Sequence, residues 1–293
     1  MLAALRDPRL EPGEFGGKVD EASHRAMREA SHALFPAEKL AAWQTAWRGW
    51  AEDCFAQLPP EADLIAGAAA PLSLRIASQV AGVPAADAPR LAVLARDLFA
   101  ITPVAGHATL ELGDYFRVKH GEAASALWVQ AFAALAHSLA ALLGNAWLAL
   151  LEHPAEMLSL AAAPERMPDA LEELLRFAGP AALQYRRASV DAEYGGARIA
   201  RGAKVILRLD RANRDPDVFP DPHRLKLDRH PAGHVAFGAG PHACVGAPLI
   251  RLAAPPGIAV FAARFAGRDV AFTAEPESGL AMRSLRSLTP MLP

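Results

Sequence analysis

The chain has 293 residues, 52% hydrophobic and 21% charged, a globular balance that excludes a disordered, collagen-like or low-complexity protein. Thirty Lys and Arg against 32 Asp and Glu leave a formal charge of −2, so no global field draws the chain to nucleic acid or an acidic membrane. Two cysteines, Cys54 and Cys244, are too few for a disulfide framework and fit a reducing cytoplasm.

The opening residues, MLAALRDPRLEPGE, lack the long apolar core of a signal peptide, so a soluble cytoplasmic protein is expected. Alanine and leucine then dominate up to about residue 175, which favours helix. Helices are predicted near 20–35, 37–57, 71–82, 86–100, 123–151 and 167–177, punctuated by Pro36, Pro59–Pro60, Pro84, Pro103 and Pro154. The apolar stretch 123–151 is interrupted by Gln130, His137, Ser138 and Asn145, and reads as a buried helix rather than a membrane span. Between 183 and 208 the short runs LQYRRASV, ARIA and KVILRL are broken by Gly195–Gly196 and Arg201–Gly202, the pattern of short antiparallel strands with tight turns. From Asn213 to Pro241 five prolines and no periodicity predict a long irregular segment held by specific contacts. A helix is predicted at about 246–254, opened by Pro248 and closed by Pro255–Pro256. The fold class is therefore mainly α with a small β region.

The segment Phe237-Gly-Ala-Gly-Pro-His-Ala-Cys244-Val-Gly246 carries the chemistry. Its glycines permit a loop that folds tightly around a thiol. The helix that follows turns backbone N–H groups and its positive dipole end toward the sulfur, which favours the thiolate. A thiolate presented in this way is a metal ligand or a nucleophile; an inert buried thiol in an apolar loop is the alternative.

This decapeptide resembles the haem-binding loop of the cytochrome P450 family. The resemblance continues in the right order: Glu173-Leu-Leu-Arg176 is similar to the family's Glu-x-x-Arg helix. Ala212–Arg224 is similar to the meander before the cysteine loop, Asp20–Arg28 to the early His-x-x-x-Arg helix, and Gly144–Pro154 to the end of the central helix. It implies one haem-binding domain over 1–293: helix-rich 1–180, strands 183–208, meander and cysteine loop 213–246, and a helix and tail 247–293. Haem b (iron protoporphyrin IX) is the implied cofactor, with Cys244 as the metal ligand. Phe237, Gly238 and Gly246 would shape the ligand loop, and His24, Arg28, Arg186 and His242 would meet the propionates. Glu173, Arg176 and Arg224 would form a buried structural triad. The remaining histidines show no ligand spacing.

Three departures from the family pattern shape the expectations. Members are usually longer, so the N-terminal helix and leading strands are expected to be missing, leaving an edge on the 183–208 strands. The interval from Pro84 to Ala123 is short, which implies a reduced roof over the pocket. The oxygen-activating pattern of small residue, Gly, any residue, acid and Thr falls on Ala134-Leu-Ala-His137-Ser138, making His137 and Ser138 the candidate catalytic pair. The resemblance implies a monooxygenase oxidising a small hydrophobic or natural-product substrate with electrons from a ferredoxin-type donor that docks on Lys226, Arg229 and Arg251. The alternatives are a peroxide-using, rearranging or coupling haem-thiolate enzyme, and a non-catalytic accessory protein. No nucleic-acid or membrane partner is implied, and a homo-oligomer is left open.

Overall fold

The computed structural model describes residues 4, 6, 7, 9–12, 25, 26, 28–31, 37–59, 61–279 and 281–291. After the strand β1 (Leu10–Pro12) come helices α1 (Ala37–Ala56), α2 (Ala70–Ala81), α3 (Ala88–Asp97) and α4 (Val104–His120). The continuous helix α5 (Glu122–Glu152) follows, then α6 (Pro154–Ala162) and α7 (Met167–Ala178). Strands β2 (Leu183–Ala188), β3 (Ala192–Tyr194), β4 (Ala197–Ile199) and β5 (Lys204–Arg208) precede the meander, helix α8 (Ala247–Phe265) and a hairpin of β6 (Ala271–Pro276) and β7 (Leu285–Met291). The predicted helices and the 183–208 strands are present. Helices α4 and α6 and the β6–β7 hairpin were not anticipated.

Helix α5 is the axis of the molecule. It is long and apolar enough to cross a membrane, yet 56% of its most apolar window is buried by protein. Its second half packs on α7 and α8. Trp147 lies fully buried there, stacked on Phe261 at 5.2 Å and edge-on to Phe55 at 5.3 Å. Such aromatic pairs add about 0.5–1.5 kcal/mol each beyond their buried area. Gly144 lets the chain ahead of α2 approach closely, for a Cβ there would lie 2.5 Å from Ile65 Cδ1.

Helix α8 corrects the expected stop at Pro255–Pro256: it runs through both prolines to Phe265. Prolines inside a helix cost about 3 kcal/mol or more. Here Leu249, Ile250, Ala253 and Ala254 before them and Ile258, Phe261 and Phe265 after them all face one core, and that burial outweighs the lost backbone bonds.

The sheet order is β1-β2-β5, antiparallel throughout, with Leu10 opposite Ala188 and Leu183 opposite Arg208. The edge of β2 expected to stand bare is covered by β1. Residues 25, 26 and 28–31 are helical, within the expected early helix.

Candidate functional site

The cysteine loop is built from its backbone outward. Gly238 and Gly240 adopt φ of 69° and 76°, left-handed values that cost other residues strain. The Cys244 N–H donates to the Phe237 carbonyl at 2.8 Å, closing the loop, and Gly238 N–H donates to Val235 O at 2.9 Å. Asn213, itself buried, anchors the approach by accepting from Val235 N–H at 2.7 Å. The Phe237 ring lies under the Arg251 guanidinium at 4.9 Å.

Cys244 opens onto a cavity of about 320 Å³. Phe237, Gly238, His242 and Gly246 line it on the loop side, and Ala134, Leu135 and Ser138 line it from α5. At that point α5 becomes a π-helical turn, Ala134–Ser138, in which Leu139 N–H reaches back to Ala134 O. Single π turns inside α-helices are frequent at functional sites.

Ser138 sits in the cavity wall, its hydroxyl donating to Met282 Sδ at 3.5 Å. His137 does not line the cavity. It is 9% exposed, stacked on Phe99 at 5.3 Å, and its Nε2 has no hydrogen-bond partner. Burial pushes its pKa down, so it is neutral at neutral pH. The expected catalytic pair is thus split, because successive helix residues point to different faces.

Cys244 corrects a second expectation. Removal from bulk water pushes its thiol pKa up, and the opposing N–H groups of Gly246 and Ala247, with Arg28 and Arg251 nearby, do not reverse this. The helix terminus acts as predicted, but desolvation is larger.

Arg186 is 4% exposed and donates through Nη1 to Tyr185 O at 2.9 Å, while its Nε and Nη2 are buried without partners. With His242 it lines a second opening of about 700 Å³ beside the first. Leu183, Gln184 and His242 belong to both walls. Arg28 Nη1 holds the Ala243 carbonyl at 2.7 Å, one residue from the cysteine. His24 lies outside the described residues.

Behind the loop, Glu173 is fully buried. It accepts from Arg176 Nε at 2.6 Å and Nη2 at 2.7 Å, from Lys226 N–H at 3.1 Å and from Arg229 Nε at 3.0 Å. The third cation is therefore Arg229 and not Arg224, which is exposed and contributes only its carbonyl, to Arg176 and Arg229. Arg176 Nη1 also donates to Asn213 O at 2.7 Å, so the cluster reaches the cysteine loop through Asn213. Of the expected cationic docking rim, Arg229 is turned inward, while Lys226 and Arg251 stay partly exposed within ion pairs. Arg229 is committed to Glu173, Lys226 pairs with Asp221 at 2.6 Å, and Arg251 pairs with Glu172 at 2.6 Å.

Sequence reasoning gave Asn213 no role and set Arg229 on a docking rim rather than beside Glu173.

The family model "Cytochrome P450" matches residues 166–254, the stretch that holds Glu173, Arg176, the meander and Cys244. Residues 166–254 thus carry the sequence pattern of the cytochrome P450 family. The fold agrees along the whole length. P450BioI in complex with hexadec-9Z-enoic acid ligated acyl carrier protein superposes with a TM-score of 0.90 at 23% identity, covering 100% of this chain and 90% of that one. The polyketide synthase cytochrome P450 PksS of Bacillus subtilis gives a TM-score of 0.87 at 25% identity, covering 99% and 87%. Among curated relatives, putative cytochrome P450 140 of Mycobacterium bovis is 46% identical over 125 residues, 42% of this chain and 28% of that protein. The 6-deoxyerythronolide B hydroxylase of Saccharopolyspora erythraea is 40% identical over 111 residues, 38% of this chain and 28% of that protein. The chain thus matches little more than a quarter of the curated relatives' length.

The residues present fit the family's haem. A macrocycle with two propionates needs an apolar slot, a soft ligand on one face and buried cations at its rim. The apolar cavity with Cys244 in its wall supplies the first two, and the unpartnered Nε and Nη2 of buried Arg186 supply an anion-seeking donor pair.

Proposed function

We propose that this protein is a haem-thiolate monooxygenase that hydroxylates a small hydrophobic, natural-product-like substrate with electrons from a ferredoxin-type donor. The observation that carries the reading is the placement of Cys244 and the 134–138 π turn in the walls of one apolar cavity. The substrate class is supported by that apolar lining and by relatives named as a 6-deoxyerythronolide B hydroxylase and a polyketide biosynthesis P450.

Cys244 would hold the iron, and Arg186, Arg28 and His242 would hold the propionate edge. When bound, thiolate-ligated haem supplies the activation of oxygen. In the overall reaction one oxygen atom enters a C–H bond and the other leaves as water, with two electrons from the donor and two protons. The chain's own part is to shape and dry the site. Leu127, Leu135, Leu142, Leu249 and Ile250 exclude water from the substrate. Ser138 Oγ is the cavity hydroxyl on the π turn, and a thioether is a weak acceptor, so this hydroxyl is readily released to donate elsewhere. We assign proton delivery to Ser138 and not to His137. Two free thiols and a long apolar helix packed as core support a cytoplasmic location.

A peroxide-driven reaction is the second reading, favoured by one observation: among the described residues no carboxylate lines the cavity. Peroxide brings its own electrons and protons and needs no acid relay. The test begins with the visible spectrum. Reduced protein under carbon monoxide should show the red-shifted thiolate band, Cys244→Ala should abolish it, and Cys54→Ser should leave it intact. Survival of the band in Cys244→Ala would remove the proposal. Turnover with ferredoxin and reductase, against turnover with peroxide, separates the two enzymes.

A further inference from the structure

Outside the wall of the main cavity lies a second, polar pocket of about 290 Å³, lined by Arg208, Asp210, Arg211, Arg214, His223 and Arg283. Four guanidiniums face one carboxylate in a chain whose overall charge is −2. That carboxylate is already committed, since Arg208 grips Asp210 with two hydrogen bonds, Nε to Oδ1 at 2.8 Å and Nη2 to Oδ2 at 2.6 Å. Arg214 and Arg283 converge on a single acceptor, the Phe177 carbonyl at the C-terminal end of α7, at 3.0 and 3.2 Å. Arg283 adds the Gly179 carbonyl at 3.1 Å. A guanidinium carries five N–H donors, and these contacts use one nitrogen of each. Arg214 is further fixed by lying over the Phe177 ring at 4.2 Å, and exposed Arg211 stands on the turn Leu209–Ala212.

The helix C-terminus and the nearby carboxylate of Asp210 balance only part of the charge gathered here, and an anion between the guanidiniums would complete it. The forked donors of arginine match the tetrahedral oxygens of phosphate and, in pairs, bind them bidentately. Carboxylates are planar and carry a single charge, so they use fewer of the available donors. We propose that the pocket walled by Arg208, Arg211, Arg214 and Arg283 is a binding site for a phosphoryl anion, either free phosphate or the phosphate of a larger ligand.

The site is coupled to the main cavity by its backbone. Leu209 and Met282 line the cavity, while their neighbours Asp210 and Arg283 line the pocket. Arg283 N–H donates to Pro180 O at 2.9 Å, and its carbonyl accepts from Asn145 on α5 at 2.9 Å. An anion that draws Arg283 outward therefore orders the segment carrying Met282, the acceptor of the Ser138 hydroxyl.

Calorimetric titration of the haem-loaded protein with inorganic phosphate, and separately with glycerol phosphate, tests the proposal near neutral pH and low ionic strength. One saturable site is expected. Arg283→Gln should weaken it roughly tenfold or more, as loss of a charge-assisted contact does. Arg211→Gln, an exposed position that leaves the fold's internal contacts intact, should weaken it as well. Arg198→Gln, on the β3–β4 hairpin, should not. Tighter binding of glycerol phosphate identifies a phosphate ester as the source, and equal binding identifies the free anion. Acetate binding as well as phosphate, no saturable heat with either phosphate, or unchanged affinity in both pocket variants would overturn it.

Discussion

Replacing Glu173 with Ala removes the acceptor of four hydrogen bonds and strands Arg176, whose side chain is 0% exposed. Breaking one partner of a buried pair costs about 3–5 kcal/mol, roughly a fifth or more of the total stability of an ordinary domain. Arg176 keeps the carbonyls of Asn213 and Pro222, at 2.7 and 2.9 Å, which places the cost toward the lower end of that range. Arg229→Ala leaves the bidentate Arg176 pair intact but removes one of the three hydrogen bonds to Glu173 Oε1 and the guanidinium contacts to the carbonyls of Pro220, Asp221 and Arg224, for a loss of about 2–3 kcal/mol. Arg224→Ala removes an exposed side chain and keeps the carbonyl, so it should stay within about 0.5 kcal/mol of the parent. Urea unfolding resolves these values. With a slope near 3 kcal/mol/M, Glu173→Ala moves the midpoint down by about 1 M and Arg224→Ala leaves it in place. An Arg224→Ala loss equal to that of Arg229→Ala would refute the assignment of the third cation.

Burial pushes the Glu172 carboxyl up, but hydrogen bonds and charge from Arg251 and His234 outweigh it and hold the pKa at about 2. A depressed folded-state pKa gives stability present above the unfolded value of about 4.5 and lost as pH falls toward 2. Across that window Glu172→Gln should flatten the fall in thermal midpoint seen for the parent. Gly238→Ala meets open van der Waals space, with Gln184 Oε1 3.6 Å from the new Cβ, so its cost is the left-handed backbone alone, about 1–2 kcal/mol by thermal unfolding. Asn213→Ala strands the Val235 N–H and should cost about 1–3 kcal/mol, with faster loss of haem in a transfer assay. Because the Nε2 of His137 is buried without a partner, His137→Leu should be neutral or stabilising. His137→Glu, placed near Glu277, should destabilise in the same unfolding assay.

Elements whose signal is local were legible in the sequence. The strands between 183 and 208 follow from paired turn glycines, and α5 from an apolar run too long for anything else. What escaped was decided by tertiary context. Helix α4 has a weakly amphipathic sequence, with Leu110 and Val118 exposed, so periodicity does not mark it. The stop expected at Pro255–Pro256 is a sound local rule overridden by a core that both halves of α8 share. Arg224 and Arg229 lie five residues apart in a segment without periodicity, and nothing in the chain's order tells which guanidinium turns inward. His137 could be placed on a helix from sequence, but the π turn shifts the register at that point, so its face could not.

The structure also separates two tasks that the cysteine motif seemed to combine. The loop was expected both to position the sulfur and to ionise it. Its position is strongly determined: Glu173 fixes Arg176, Arg176 fixes Asn213, Asn213 fixes Val235, and Val235 and Phe237 carbonyls receive the Gly238 and Cys244 N–H groups. Its ionisation is not, because withdrawal from water pushes the thiol up by more than the helix terminus and two arginines pull it down. A sulfur held in place, with its thiol pKa raised, is suited to a partner that brings its own positive charge, since metal binding and thiol deprotonation are linked. A free nucleophile would need the opposite balance, a thiolate stable without any partner. That balance favours the ligand reading of Cys244 over the nucleophile reading. The consequence is measurable as slow alkylation of Cys244 by iodoacetamide in haem-free protein at neutral pH, accelerating only as pH rises past the ordinary thiol range. Rapid alkylation at neutral pH would show a preformed thiolate and reverse the conclusion.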